Sequence, residues 1–227
     1  MYVASSSRRI AAEAVGTALL VAAVIGSGIM AQRLATDPAV ALLANTIATG
    51  AALVAILLVF GPISGAHLNP AVTLSLAVMK QIAPRLAIAY VVAQILGAIA
   101  GAILANAMFD LPLVAWSATV RTGSAKWLSE VVATFGLVGV VLSVGRARPA
   151  IAPLAVAAYI VAAYWFTAST SFANPAVTIG RAFSDSFAGI RPVDIVGFIA
   201  AQAIGAALGA TFFSWLLTPA KPTTTSP

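Results

Sequence analysis

The chain is predicted to be an all-α membrane protein with six transmembrane helices plus two half-helices in an inverted repeat, and three observations predict it. Of 227 residues, 61% are hydrophobic and only 8% charged, against roughly a quarter charged in a soluble domain. Mean hydropathy is +1.04. Six apolar runs approach or exceed the roughly 20 helical residues that cross a bilayer. Two shorter apolar runs are left over, and both open on Asn-Pro-Ala-Val-Thr.

The first run, 10–31, follows Arg8 and Arg9 and carries Glu13 near its start. It exceeds the core of a signal peptide, and a second span follows without a small-residue cleavage site in polar context, so it is read as retained. The second run is 39–60. Next comes a half-length run, 69–79, opening on Asn69, Pro70 and Ala71. Asn is a good N-cap, and Pro suits the first helical turn, where its missing N–H is no loss. This run therefore reads as a half-helix that enters the membrane without crossing it. The span 87–108 completes a first repeat, residues 1–108, and an extracellular loop, 109–126, connects it to the second repeat, 127–217. There the order recurs: a span at 127–144 bearing Glu130, a span at 151–168, a half-helix at 174–183 opening on Asn174, Pro175 and Ala176, and a span at 193–217. The tail 218–227, rich in Thr, Ser and Pro, reads as disordered.

Internal echoes support the repeat. AQILGAIAG in the third span (93–101) matches AQAIGAALG in the sixth (201–209), and Glu13 with Thr17 matches Glu130 with Thr134. Gly97 with Gly101, and Gly205 with Gly209, are GxxxG pairs that let helices cross closely. Three spans per half is an odd number, so the second half lies upside down relative to the first. Such inverted repeats carry their site near the midplane, where discontinuous helices meet.

The positive-inside rule favours a cytoplasmic N-terminus. Arg8, Arg9, Lys80, Arg85, Arg146, Arg148 and Lys221 then lie inside, and Arg33, Arg121, Lys126, Arg181 and Arg191 outside. All four Asp residues, at 37, 110, 185 and 194, also fall outside. Six spans bring the C-terminus back to the cytoplasm.

Composition also excludes functions. The basic residues are scattered between apolar runs, which argues against a nucleic-acid partner. There is no cysteine, and His67 is the only histidine. No metal or other cofactor is expected, and an intramembrane enzyme lacks candidate catalytic groups. A secondary transporter of a small polar solute is the alternative, but coupling ions normally need carboxylates near the midplane, and none is expected there.

If the half-helices enter from opposite sides, their N-termini meet at the membrane centre. Each contributes unpaired N–H groups and about half a positive charge, which repels cations. The amides of Asn69 and Asn174 can donate to a small neutral molecule. Carbonyls of the non-helical residues Gly65, Ala66 and His67, and of Ser171, Phe172 and Ala173, can accept from it. Irregular backbone at this depth is tolerated where it lines an aqueous cavity or is buried in protein, so a pore is predicted.

The pair SGAHLNPAVT and SFANPAVT, the six spans and the Glu-bearing first and fourth helices resemble the aquaporin, or major intrinsic protein, family over about residues 8–217. The resemblance implies passive flow of water and small neutral solutes through a homotetramer of separately conducting protomers, a multi-pass protein of the cell membrane, here the bacterial inner membrane. It implies that Glu13 and Glu130 brace the half-helix loops by accepting their backbone N–H groups. His67 is read as a loop brace whose carbonyl, rather than its ring, faces the pore. Most members carry Arg directly after the second Asn-Pro-Ala, as part of the narrowest filter; here that position is Val177. Carried over without gaps, the other filter positions are Thr49, 20 before Asn69, and Ala162 and Ser171, 12 and 3 before Asn174. The filter Thr49, Ala162, Ser171 and Val177 is expected to be wide. Arg181, one turn beyond Val177, is placed in the outer vestibule. The run YWFTASTSFANPAVTIGRAFSDSFAGI looks similar to bacterial aquaglyceroporins associated with arsenic resistance, which implies glycerol, arsenite and methylated arsenicals as solutes.

Overall fold

The structure, a computed structural model, describes residues 4–219. In chain order the α-helices are α1 (Ser6–Leu34), α2 (Pro38–Ser64), α3 (Pro70–Val78), α4 (Pro84–Met108), α5 (Ser124–Ala147), α6 (Ala152–Phe166), α7 (Pro175–Gly180) and α8 (Ile195–Leu216). Short 3-10 turns precede α6 and α8, and one at Arg181–Phe183 extends α7. Six of these elements are long and apolar enough to cross a membrane, which agrees with the six predicted spans. α1, α2, α4 and α5 overrun their apolar runs by up to four residues at an end, whereas α6 and α8 start and stop one or two residues inside theirs. The predicted tail lies outside the described residues from 220 on, as does Lys221; Thr218 itself still bonds back to α8, its Oγ1 donating to the Ser214 carbonyl at 2.8 Å.

The same pairings build both halves. α1 packs on α2 and α4, and α5 packs on α6 and α8. Gly97 and Gly101 make the first crossing possible: a Cβ on either would collide with the carbonyl of Ala14 or Ala18 of α1. Gly205 and Gly209 abut Val131 and Phe135 of α5 in the same way. The halves interlock because each half-helix touches the third span of both repeats, α3 and α7 alike packing against α4 and α8.

Polarity is arranged inside out. Val15, Ile47, Leu96, Ile204 and Leu208 face outward, whereas Glu13, Gln94, Glu130 and Gln202 are fully buried. In lipid, outward apolar side chains cost nothing, and backbone polar groups must be satisfied within the protein. Trp165 and Trp215 are exposed near the C-terminal ends of α6 and α8, and indole rings favour the membrane interface.

Candidate functional site

Both half-helices start where the sequence places them. Asn69 and Asn174 have extended backbones, with φ −155° in each, and their side chains cap α3 and α7. Asn69 Oδ1 accepts the Ala71 N–H at 2.9 Å; Asn174 Oδ1 accepts those of Ala176 at 3.0 Å and Val177 at 3.2 Å.

The approach to each cap is strained in matching positions. Ala66 and Leu68, three and one before Asn69, have φ of 45° and 51°; Ser171 and Ala173, three and one before Asn174, have 48° and 47°. The left-handed region costs a non-glycine residue on the order of 1 kcal/mol. Two buried carboxylates hold these turns. Glu13 accepts the N–H groups of His67 and Leu68 at 3.0 and 2.7 Å, and Glu130 those of Phe172 and Ala173 at 2.9 and 2.8 Å. Such charge-assisted bonds to backbone N–H are the strong class of hydrogen bond.

Sequence reasoning missed the next layer. Gln94 Nε2 donates to Glu13 at 2.8 Å and to Thr73 Oγ1 at 2.9 Å. Gln202 Nε2 donates to Glu130 at 2.6 Å and to Thr178 Oγ1 at 2.9 Å. The recurrence of AQxxG and NPAVT signalled these contacts, but only the glycines were read from the first motif and the Asn-Pro turn from the second. The His67 ring is engaged too, with Nδ1 3.1 Å from Thr73 Oγ1 and its edge against Tyr90.

The two caps are tied across the repeat boundary. Asn69 Nδ2 donates to the Ala173 carbonyl at 2.7 Å, and Asn174 Nδ2 donates to the Leu68 carbonyl at 2.8 Å. Each amide nitrogen carries two N–H groups, so one is spent on the strap and one remains. The Ala173 carbonyl, expected in the pore wall, is instead a strap acceptor. Ala173 is fully buried and stands behind the cavity. Gly65, Ala66, His67 and Phe172 do border it. Pro70 and Ala71 are buried beside the Asn69 cap, as is Ala176 beside Asn174, with Pro175 half-buried.

A cavity of about 1040 Å³ runs from Gln81, Arg146 and Pro149 at one end, past Asn69 and Asn174, to Thr49, Ser171 and Val177. Three of the four predicted filter residues therefore border it. Ala162 does not: it is exposed on the outer face of α6. Tyr164, 3% exposed, stands in the wall instead, its hydroxyl 3.4 Å from Thr49 Oγ1. Two residues turn a helix by about 200°, so the gap-free transfer lands on the wrong face.

Arg181 also departs from expectation. It is 2% exposed and borders the same cavity as Val177, rather than standing in an open vestibule. Its guanidinium lies 3.4 Å from the centroid of the Phe172 ring, and its Nε donates to the Ala188 carbonyl. Helical side chains lean toward the N-terminus and cover the preceding turn, which carries this long side chain back toward the midplane. A second arginine, Arg121 of the 109–123 loop, lies 4.9 Å from the same ring. It donates to the carbonyls of Gly189, Phe187 and Ser169 at 2.6, 3.2 and 3.4 Å, pinning the outer loops together. Burial pushes its pKa down to about 10, which leaves it charged at neutral pH.

A polar seam inside six bilayer-length helices gives a solute a route past the hydrocarbon, and that makes the molecule a transmembrane channel. The chain belongs to the major intrinsic protein family, whose sequence profile matches residues 2–171. It is 56% identical over 216 residues to Aquaglyceroporin AqpS of Rhizobium meliloti, covering 95% of this chain and 93% of that one. It is 31% identical to Aquaporin Z of Bradyrhizobium diazoefficiens, covering 92% and 93% of the two chains. The X-ray structure of the aquaglyceroporin from Plasmodium falciparum superposes with a TM-score of 0.71, at 22% identity, over 92% of this chain and 96% of that one. That likeness bears on the fold alone.

Proposed function

We propose that the protein is a passive channel for water, glycerol and arsenite as its neutral hydroxide, with methylated arsenicals as further solutes. The observation that carries this reading is Val177, which borders the cavity one turn above the Asn174 cap, where most family members have Arg. A branched three-carbon side chain leaves more room than a guanidinium and offers no hydrogen bond, so bulkier neutral solutes fit. The similarity to a protein named aquaglyceroporin supports the same solute class.

In this reading Asn69 and Asn174 each turn their second amide N–H to the solute, and the carbonyls of Gly65, Ala66, His67 and Phe172 accept its hydroxyl protons. The repeats 1–108 and 127–217, joined by the loop 109–126, form the two halves of one pore. Solutes cross without chemical change, in the cell membrane, with both termini cytoplasmic and four protomers assembled. The test is uptake by proteoliposomes under an osmotic or solute gradient: glycerol and arsenite fluxes rise linearly with the gradient, independent of any ion gradient. Saturable, ion-coupled uptake would instead establish a transporter.

A further inference from the structure

We propose that Arg181, together with Ser171, forms the polar filter of this channel, supplying from one turn further along the chain the charge that position 177 lacks. The inference rests on the channel reading above and concerns what the constriction rejects and orients.

Four observations converge. Arg181 is 2% exposed yet borders the main cavity beside Thr49, Tyr164, Ser171 and Val177. Its Nε is committed to the Ala188 carbonyl and its flat face to Phe172. Among the described residues, no protein acceptor meets its terminal nitrogens, so their four N–H groups remain for a solute. Lastly, Ser171 Oγ is buried in the same wall without a hydrogen-bond partner. A buried hydroxyl left unpaired costs on the order of 1–3 kcal/mol, and a passing hydroxylated solute or water would relieve it.

Arg121 provides the contrast. It touches the same Phe172 ring, but its nitrogens are spent on loop carbonyls, and it borders a separate cavity of about 600 Å³ with Gln32, Thr170 and Phe187. Of these two arginines, the half-buried Arg121 ties loops and the buried Arg181 faces the solute path. A fixed cation at the constriction repels ammonium-type ions while leaving room, through the small Val177, for neutral polyols.

The experiment compares wild type, Arg181→Leu, Arg181→Lys and Ser171→Ala in proteoliposomes, measuring water, glycerol and methylammonium. Wild type passing glycerol and excluding methylammonium is the starting point; failure to pass glycerol would refute the channel reading itself. Arg181→Leu is expected to admit methylammonium on the order of tenfold faster or more. Arg181→Lys restores exclusion but shifts the glycerol-to-water ratio, and Ser171→Ala lowers that ratio without admitting cations. Where Arg181→Leu does not assemble, the Lys and Ala variants decide. Unchanged cation exclusion in Arg181→Leu, or unchanged glycerol-to-water ratios in both other variants, would overturn the inference while leaving the channel reading intact.

Discussion

Asn69 donates its side-chain amide to the carbonyl of Ala173 at 2.7 Å, across the boundary between the repeats, while its oxygen caps its own half-helix. Both half-helices thus share one junction, because Asn174 does the same toward Leu68. Asn69→Asp keeps a capping oxygen but removes the donor and places a negative charge at the midplane. We expect proton leak to rise and thermal stability to fall by about 1–2 kcal/mol, from a lost strap bond. Proteoliposomes loaded with a pH-sensitive dye report the leak; a leak equal to wild type would show that the strap and barrier are separate.

Glu130 makes three hydrogen bonds as a pure acceptor, to two N–H groups and the Gln202 amide. In Glu130→Gln one of those donors must face another donor. The cost is about 2 kcal/mol or more, and the left-handed turns at Ser171 and Ala173 lose their anchor. The melting temperature of the purified protein in detergent should drop, as it should for Glu13→Gln. An unshifted transition in both would mean that the carboxylates do not hold the loops.

Gly97→Ala directs a methyl group into the Ala14 carbonyl, a backbone atom that cannot swing aside. The α1–α4 crossing must open, and yield and melting temperature should fall. Gly145→Ala, where a Cβ meets nothing, should be neutral or slightly stabilising, since Ala is the better helix former by up to about 1 kcal/mol. Equal behaviour of the two variants would contradict the close crossing.

Tyr164 and Ala162 separate the observed wall from the position expected by spacing. Tyr164→Ala should raise glycerol permeability several-fold by opening the cavity wall that Tyr164 shares with Val177, whereas Ala162→Phe, on the outer face, should leave it within about twofold. The reverse ranking, measured by light scattering after a glycerol gradient, would put α6 in a different rotation.

Much of this architecture was legible in the sequence. Six spans, two half-helices and their Asn caps follow from run length, the Asn-Pro signature and the parity of spans per repeat. Those features are local, or they repeat. The misreadings share a different origin. Counting back from Asn174 lands on Ala162, but the intervening loop can absorb residues, and an error of two on a helix reverses the face. Arg181 stands one turn beyond Val177 in sequence, but its side chain reaches the Phe172 ring. The Gln94 and Gln202 straps required knowing which side chains converge on each Glu. Periodicity on a single helix does not carry that information.

The central claim, that Val177 stands at the constriction and keeps it open to bulkier neutral solutes, is tested most directly by stopped-flow measurement of water, glycerol and arsenite permeability in wild type and Val177→Arg. A guanidinium there would crowd Ser171 and Tyr164 and meet the charge of Arg181. Glycerol and arsenite flux should fall sharply, by on the order of tenfold or more, while water continues to pass. Unchanged glycerol and arsenite flux in a correctly assembled Val177→Arg channel would contradict it.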